Sequence, residues 1–166
     1  MTKQDEAKFL EAKTEQFTKS AGSRRITKGH ILTGPSPYGC FNTGVEPALL
    51  HSRSGHWFAG HENDVRVVKD MRFAEELRTG KTRRVWKPTK RGALKMLHGK
   101  VIVSKGKGAA LAHYASLCAQ MLLDNEKERR FVAGEMDAAQ NSPDPSRRLE
   151  AALNAGDHGA FGIGGL

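Results

Sequence analysis

Aspartate and glutamate are missing from the 47 residues that run from Leu77 to Leu123. The same stretch holds eleven basic residues: Arg78, Lys81, Arg83, Arg84, Lys87, Lys90, Arg91, Lys95, Lys100, Lys105 and Lys107. The rest of the chain carries 16 basic and 18 acidic residues, so the whole positive excess of the +9 chain lies in this block. A block without acid cannot neutralise its own charge locally, and it attracts anionic partners. This asymmetry specifies a class of partner and no reaction.

Other scarcities exclude other classes. Two cysteines, Cys40 and Cys118, are too few for a disulfide framework. Cys118 sits inside an apolar helical pattern, where a buried thiol is expected. No apolar run approaches the ~20 residues that span a bilayer, which excludes a membrane helix. The opening residues Met1 to Glu6 are polar and acidic, unlike a signal peptide. A cytoplasmic chain is expected, or a virion component if the source is a phage. Apolar residues make up only 38 % of the sequence, so a modest core is expected, with stability borrowed from a partner.

Catalytic signatures are missing as well. Gly80-Lys81-Thr82 is not a P-loop, because Glu75 stands where the motif needs its first glycine. There is no Gly-x-Ser-x-Gly elbow, and neither cysteine lies in a nucleophile context. The basic block lacks the aromatic signature of an RNA-recognition motif and lacks zinc-finger spacing. A non-enzyme is expected, with no cofactor.

What is present can be read in chain order. Residues 2–20 predict a helix with a cap at Thr2 and Asp5 and a thin apolar stripe through Phe9, Leu10 and Phe17. Residues 23–64 are dense in Gly and Pro and predict an extended arm or loop-rich β region, with short strands at 25–28, 30–33 and 57–59. Val65, Val67 and Val68 alternate like a strand, and Met71, Ala74 and Leu77 follow at helical spacing. Arg83 to Lys87 reads as an edge strand, and Thr89 to Leu97 as a short helix. Val101-Ile102-Val103 is the clearest strand. Leu111, Tyr114, Ala115, Cys118, Met121 and Leu122 define one long helix over 108–140. Asp144 and Pro145 start a last helix that Gly156 should stop. Phe161, Ile163 and Leu166 in the Gly-rich tail suit a neighbour's pocket.

The expected fold is α+β: a small central β-sheet packed on a long C-terminal helix, with an N-terminal helix and extended loops. Its parts are 1–22 (helix), 23–141 (basic α+β core ending in the long helix) and 142–166 (short helix and arm). The expected function is that of a small basic structural or assembly protein of a larger particle, such as a phage virion or a ribonucleoprotein. It contacts nucleic-acid backbone, or another polyanion, without sequence specificity, as a homo-oligomer among other subunits. Lys81, Arg83, Arg84, Lys87, Lys90, Arg91, Lys95, Lys100, Lys105 and Lys107 are the expected contacts, and Trp86 could stack on an unpaired base. Two alternatives stand beside this. His51, His56 and His61, each five residues apart, with Glu62, would serve a metal-dependent nuclease. An adaptor would set the basic block against an acidic protein.

Overall fold

A computed structural model describes residues 1–35, 44–68, 95–97 and 100–160. Helix α1, Lys3–Ser23, opens with a capping box: Thr2 Oγ1 accepts the Asp5 amide, and the Asp5 carboxylate accepts the Thr2 amide at 3.1 Å. These two bonds satisfy donors that a helix start leaves unpaired. Only Ala21 of α1 is buried, so the thin stripe docks by its C-terminal end.

Five short strands follow: β1 (Ile31–Thr33), β2 (Pro47–His51), β3 (Trp57–His61), β4 (Lys95–Leu97) and β5 (Val101–Ser104). They form one antiparallel sheet in the order β1-β2-β3-β5-β4. Between β3 and β4 the described chain is helical over residues 62–68, here α2. Helix α3 spans Lys107–Gln140 and α4 spans Pro145–Ala160.

Strand alternation sends successive side chains to opposite faces, and both faces of this sheet are covered. On one face Leu49, Trp57 and Ala59 pack against Ala110, Leu111, Tyr114 and Cys118 of α3 and against Ala21 of α1. On the other, Ala48, Leu50, Phe58, Val101 and Val103 pack against Val65 and Val68 of α2. Close approach between layers demands small residues. A Cβ on Gly34 would lie 2.8 Å from Cys118 Sγ and 3.2 Å from Pro47 Cβ.

The α+β class and the sheet on a long helix agree with the sequence pattern, and α3 and β5 lie within a residue of their expected bounds. Four local expectations are corrected. No strand forms at 25–28. Residues 65–68 are helical, because Val65 and Val68 share a helix face while Val67 is 54 % exposed. Lys95–Leu97 is an edge strand on β5, not the end of a helix. Helix α4 runs through Gly156 to Ala160. The edge strand expected at Arg83 to Lys87 and the helix at Met71 to Leu77 lie outside the described residues.

The chain divides into two compact units, Met1–Leu123 and Asp124–Leu166. The first carries 22 basic and 10 acidic residues, and the second 5 and 8. The positive charge therefore belongs to the unit that contains the sheet.

Candidate polyanion-binding surface

The β2–β3 hairpin builds one end of the sheet. His51 pairs with Trp57, leaving Ser52 to His56 as the turn. Ser52 donates its amide to the His56 carbonyl at 2.8 Å, and its Oγ accepts the His56 amide at 3.0 Å. Gly55 closes the turn at φ +87°, a conformation that favours glycine.

The segment after α1 is tied to this hairpin. Gly29 donates to the His51 carbonyl at 2.6 Å, and the His51 amide donates to the His30 carbonyl at 3.1 Å. The Nδ1 of His51 lies 2.9 Å from the Ile26 carbonyl oxygen, so this ring nitrogen carries the proton in that bond. Residues 26–30 thus gather around His51, with Lys28 beside Gly55. A Cβ on Gly29 would sit 3.6 Å from the Arg53 side chain, and one on Gly55 would sit 3.9 Å from Lys28 Nζ. The two cations cross between the adjacent segments.

Strand β5 brings a third segment to the same end, because Ser104 pairs with Trp57. Lys105 follows Ser104 and is exposed. Lys107 turns inward. Its ammonium donates to the carbonyl oxygens of Ala21, Gly22 and Arg24 at 3.1, 3.1 and 2.9 Å. The last turn of α1 has no basic residue of its own. Lys107 supplies the missing charge where the helix leaves its carbonyls unpaired. The same ammonium lies 5.6 Å from the Trp57 ring centroid, while His51 stacks on that ring at 4.0 Å.

Arg25, Lys28, Arg53 and Lys105 are exposed on the segments of this end, while the Arg24 side chain lines a cleft with Thr33, Gly34, Pro35 and Tyr114 towards the far end of β1. The segments that carry them, 24–30, 51–57 and 104–107, contain no aspartate or glutamate. An array of one sign without a carboxylate raises the local concentration of phosphate oxygens. Three of these four cations, Arg25, Lys28 and Arg53, lie outside the 77–123 block, so a count along the chain does not single them out. The signal available was the absence of acid from Arg24 to Val45 and again from Pro47 to His61.

The residues expected from sequence fare differently. Lys100 is exposed but precedes β5, so it stands at the opposite end of that strand from Lys105. Lys107 is committed to α1. Lys95 lies on the edge strand β4. Lys81, Arg83, Arg84, Trp86, Lys87, Lys90 and Arg91 lie outside the described residues.

The histidines do not converge. His51 bonds Ile26 and His61 Nδ1 bonds the Val45 carbonyl at 2.8 Å, while His56 Nδ1 lies 3.1 Å from Ser54 Oγ inside the turn. Glu62 is buried, and its Oε1 accepts from Arg66 Nε and Nη2 at 3.0 and 2.7 Å. Among the described residues no three of His, Cys, Asp and Glu are placed to hold a metal ion.

Cys118 is a buried thiol, pushed up to about 12 by burial, and so is poorly suited to nucleophilic attack. Burial likewise raises the phenol of Tyr114, its hydrogen-bond neighbour. No described helix is long and apolar enough to cross a membrane. No protein-family model, no curated protein and no solved structure matches this chain.

Proposed function

We propose that this chain binds the backbone of a polyanion, nucleic acid in the first instance, without reading its sequence, as a small structural subunit of a larger particle. The observation that carries the reading is the sheet end just described. Four exposed cations, Arg25, Lys28, Arg53 and Lys105, stand on three separate segments there with no carboxylate in those segments. Contacts of this kind displace condensed counterions, and they favour any base sequence equally. The acid-free block from Leu77 to Leu123 extends the same logic. Its Lys81, Arg83, Arg84, Lys87, Lys90 and Arg91 belong to the proposal as a second source of positive charge.

The test is a salt titration of binding to duplex and single-stranded DNA and to RNA of several sequences. If the four cations each neutralise one phosphate, log affinity should fall against log salt with a slope of about −3.6 on duplex DNA. The slope should not depend on base sequence. Negligible affinity at moderate salt, with retained binding to an acidic protein, would favour the adaptor reading instead.

A further inference from the structure

Strand β1 forms one edge of the sheet. Gly34 donates to the Pro47 carbonyl at 2.6 Å, and His51 donates to the His30 carbonyl at 3.1 Å. Residues 30, 32 and 34 thus turn their main-chain groups towards β2. By the alternation of an antiparallel ladder, the amides and carbonyls of Ile31 and Thr33 point outward. No described residue pairs with them. An open edge is a template for another strand, and native sheets often blunt it with charge. From His30 to Pro35 there is no Lys, Arg, Asp or Glu.

A cleft of about 330 Å³ lies against this edge, between α1 and β1. Phe17 and Ala21 of α1, Leu32 of β1, Pro35 and Tyr114 of α3 give it apolar walls. Leu32 packs on the face of the sheet that α1 and α3 cover. In a strand laid beside β1, the residue opposite Leu32 sends its side chain to that same face. The side chain would enter the cleft. Arg24 also lines the cleft, and its guanidinium makes no hydrogen bond or ion pair with a described residue. Its charge counters the upward push of burial on the Tyr114 phenol.

We infer that β1 takes up an extended peptide from another protein as an added strand. An apolar side chain of the peptide fills the cleft, and a carboxylate two residues away on the same face meets Arg24. This is strand addition, in which the main chain gives affinity and alternate side chains give specificity.

The exposed groups select a peptide over other occupants. The outward carbonyls of Ile31 and Thr33 need donors, and phosphate oxygens only accept. A peptide main chain offers a donor and an acceptor at each facing residue. The β1 of a second copy fits less well, because the chain carries no carboxylate from Arg24 to Val45 to meet Arg24. The inference does not rest on the polyanion reading.

Nitrogen-15 NMR on the full chain, without nucleic acid, tests it. The probes are acetylated and amidated Thr-Val-X-Val-Glu-Thr and Thr-Glu-Val-X-Val-Thr, with X as Leu or Phe. They should bind saturably at or below about 1 mM and shift the Ile31 and Thr33 amides most. N-methylation of the two Val residues that flank X removes their donors and should weaken binding at least about tenfold. Thr33→Pro deletes an outward donor at an edge, where proline is tolerated, and should weaken binding by at least about the same factor with the urea midpoint little changed. Arg24→Glu should weaken these peptides about fivefold and favour versions with Lys in place of Glu. No saturable binding by any of these peptides, or equal binding by the N-methylated analogue, would overturn the inference. Equal binding by a folded Thr33→Pro chain would also overturn it, and if that chain does not fold the analogue decides alone. Dimers of the free chain that Thr33→Pro abolishes would overturn it in favour of a second copy.

Discussion

The ammonium of Lys107 lies 2.9 Å from the main-chain carbonyl oxygen of Arg24, the C-cap of α1, and so joins the start of α3 to the end of α1. Two residues earlier, Lys105 stands exposed with no such task. The two lysines are neighbours in a single acid-free block, but their consequences separate. Hydrogen bonds to a charged group contribute about 1.5–3 kcal/mol. Lys107→Met should therefore lower stability by about 1–3 kcal/mol in urea unfolding. Lys105→Met should leave the unfolding midpoint unchanged and reduce the magnitude of the duplex salt slope by about 0.9. An equal loss of stability in both variants would contradict this division.

Gly34 and Cys118 make a second coupled pair. With only 2.8 Å between a new Cβ and Cys118 Sγ, Gly34→Ala overfills the layer between β1 and α3. Overpacking of this kind costs about 1–3 kcal/mol. Cys118→Ala removes the sulfur and leaves a small cavity. The double variant should be more stable than the sum of the single effects requires. The measurement is a double-mutant cycle, and an interaction energy near zero would show that the neighbouring Pro47 ring, and not the thiol, sets the limit.

Acid should weaken the fold through His113. Burial, and then the nearby charge of His61, hold the His113 imidazole below its ordinary value of 6.5. The unfolded chain therefore takes up the proton first. Stability is complete above the ordinary value and is lost as pH falls through it towards the lowered one. One such group gives a slope of at most about 1.4 kcal/mol per pH unit. His113→Gln should flatten the decline of stability between neutral pH and pH 5. An unchanged profile would assign the decline to other groups. Glu15 and Glu126 also sit below the usual carboxylate range, held by hydrogen bonds to Lys19 and Arg130, but Glu15 is exposed and Glu126 half-buried, and both titrate at lower pH.

How far the sequence reveals this arrangement depends on how each element is buried. Helix α3 was legible because one of its faces meets the sheet, so Leu111, Tyr114, Ala115 and Cys118 recur at helical spacing. Strand β2 was not, because Ala48, Leu49 and Leu50 are buried on both faces and show no alternation, and Pro47 opens the strand. Val65 and Val68 misled by lying next to Val67, whose exposure only the fold reveals. The same limit hid the cationic sheet end. A count along the chain finds a contiguous block such as 77–123. It does not find Arg25, Lys28 and Arg53, whose segments are joined by a register between stretches some 25 residues apart.

Two sets of cations now compete for the polyanion, and charge reversal separates them. Arg25→Glu, Lys28→Glu and Arg53→Glu together change exposed residues at the sheet end. Arg83→Glu, Arg84→Glu and Lys87→Glu change the centre of the acid-free block. Each triple change moves the net charge by six, so a long-range field effect alone would weaken binding equally in both. Direct contact at the sheet end predicts more. The first triple should reduce the magnitude of the duplex salt slope by about 2.7, three phosphates' worth. Its loss of affinity should be the same for every DNA sequence tried, because phosphates carry no sequence. Helical content should not change in either variant. If the first triple binds as tightly as the parent protein, the sheet end is a solvated basic surface and the block carries the binding alone.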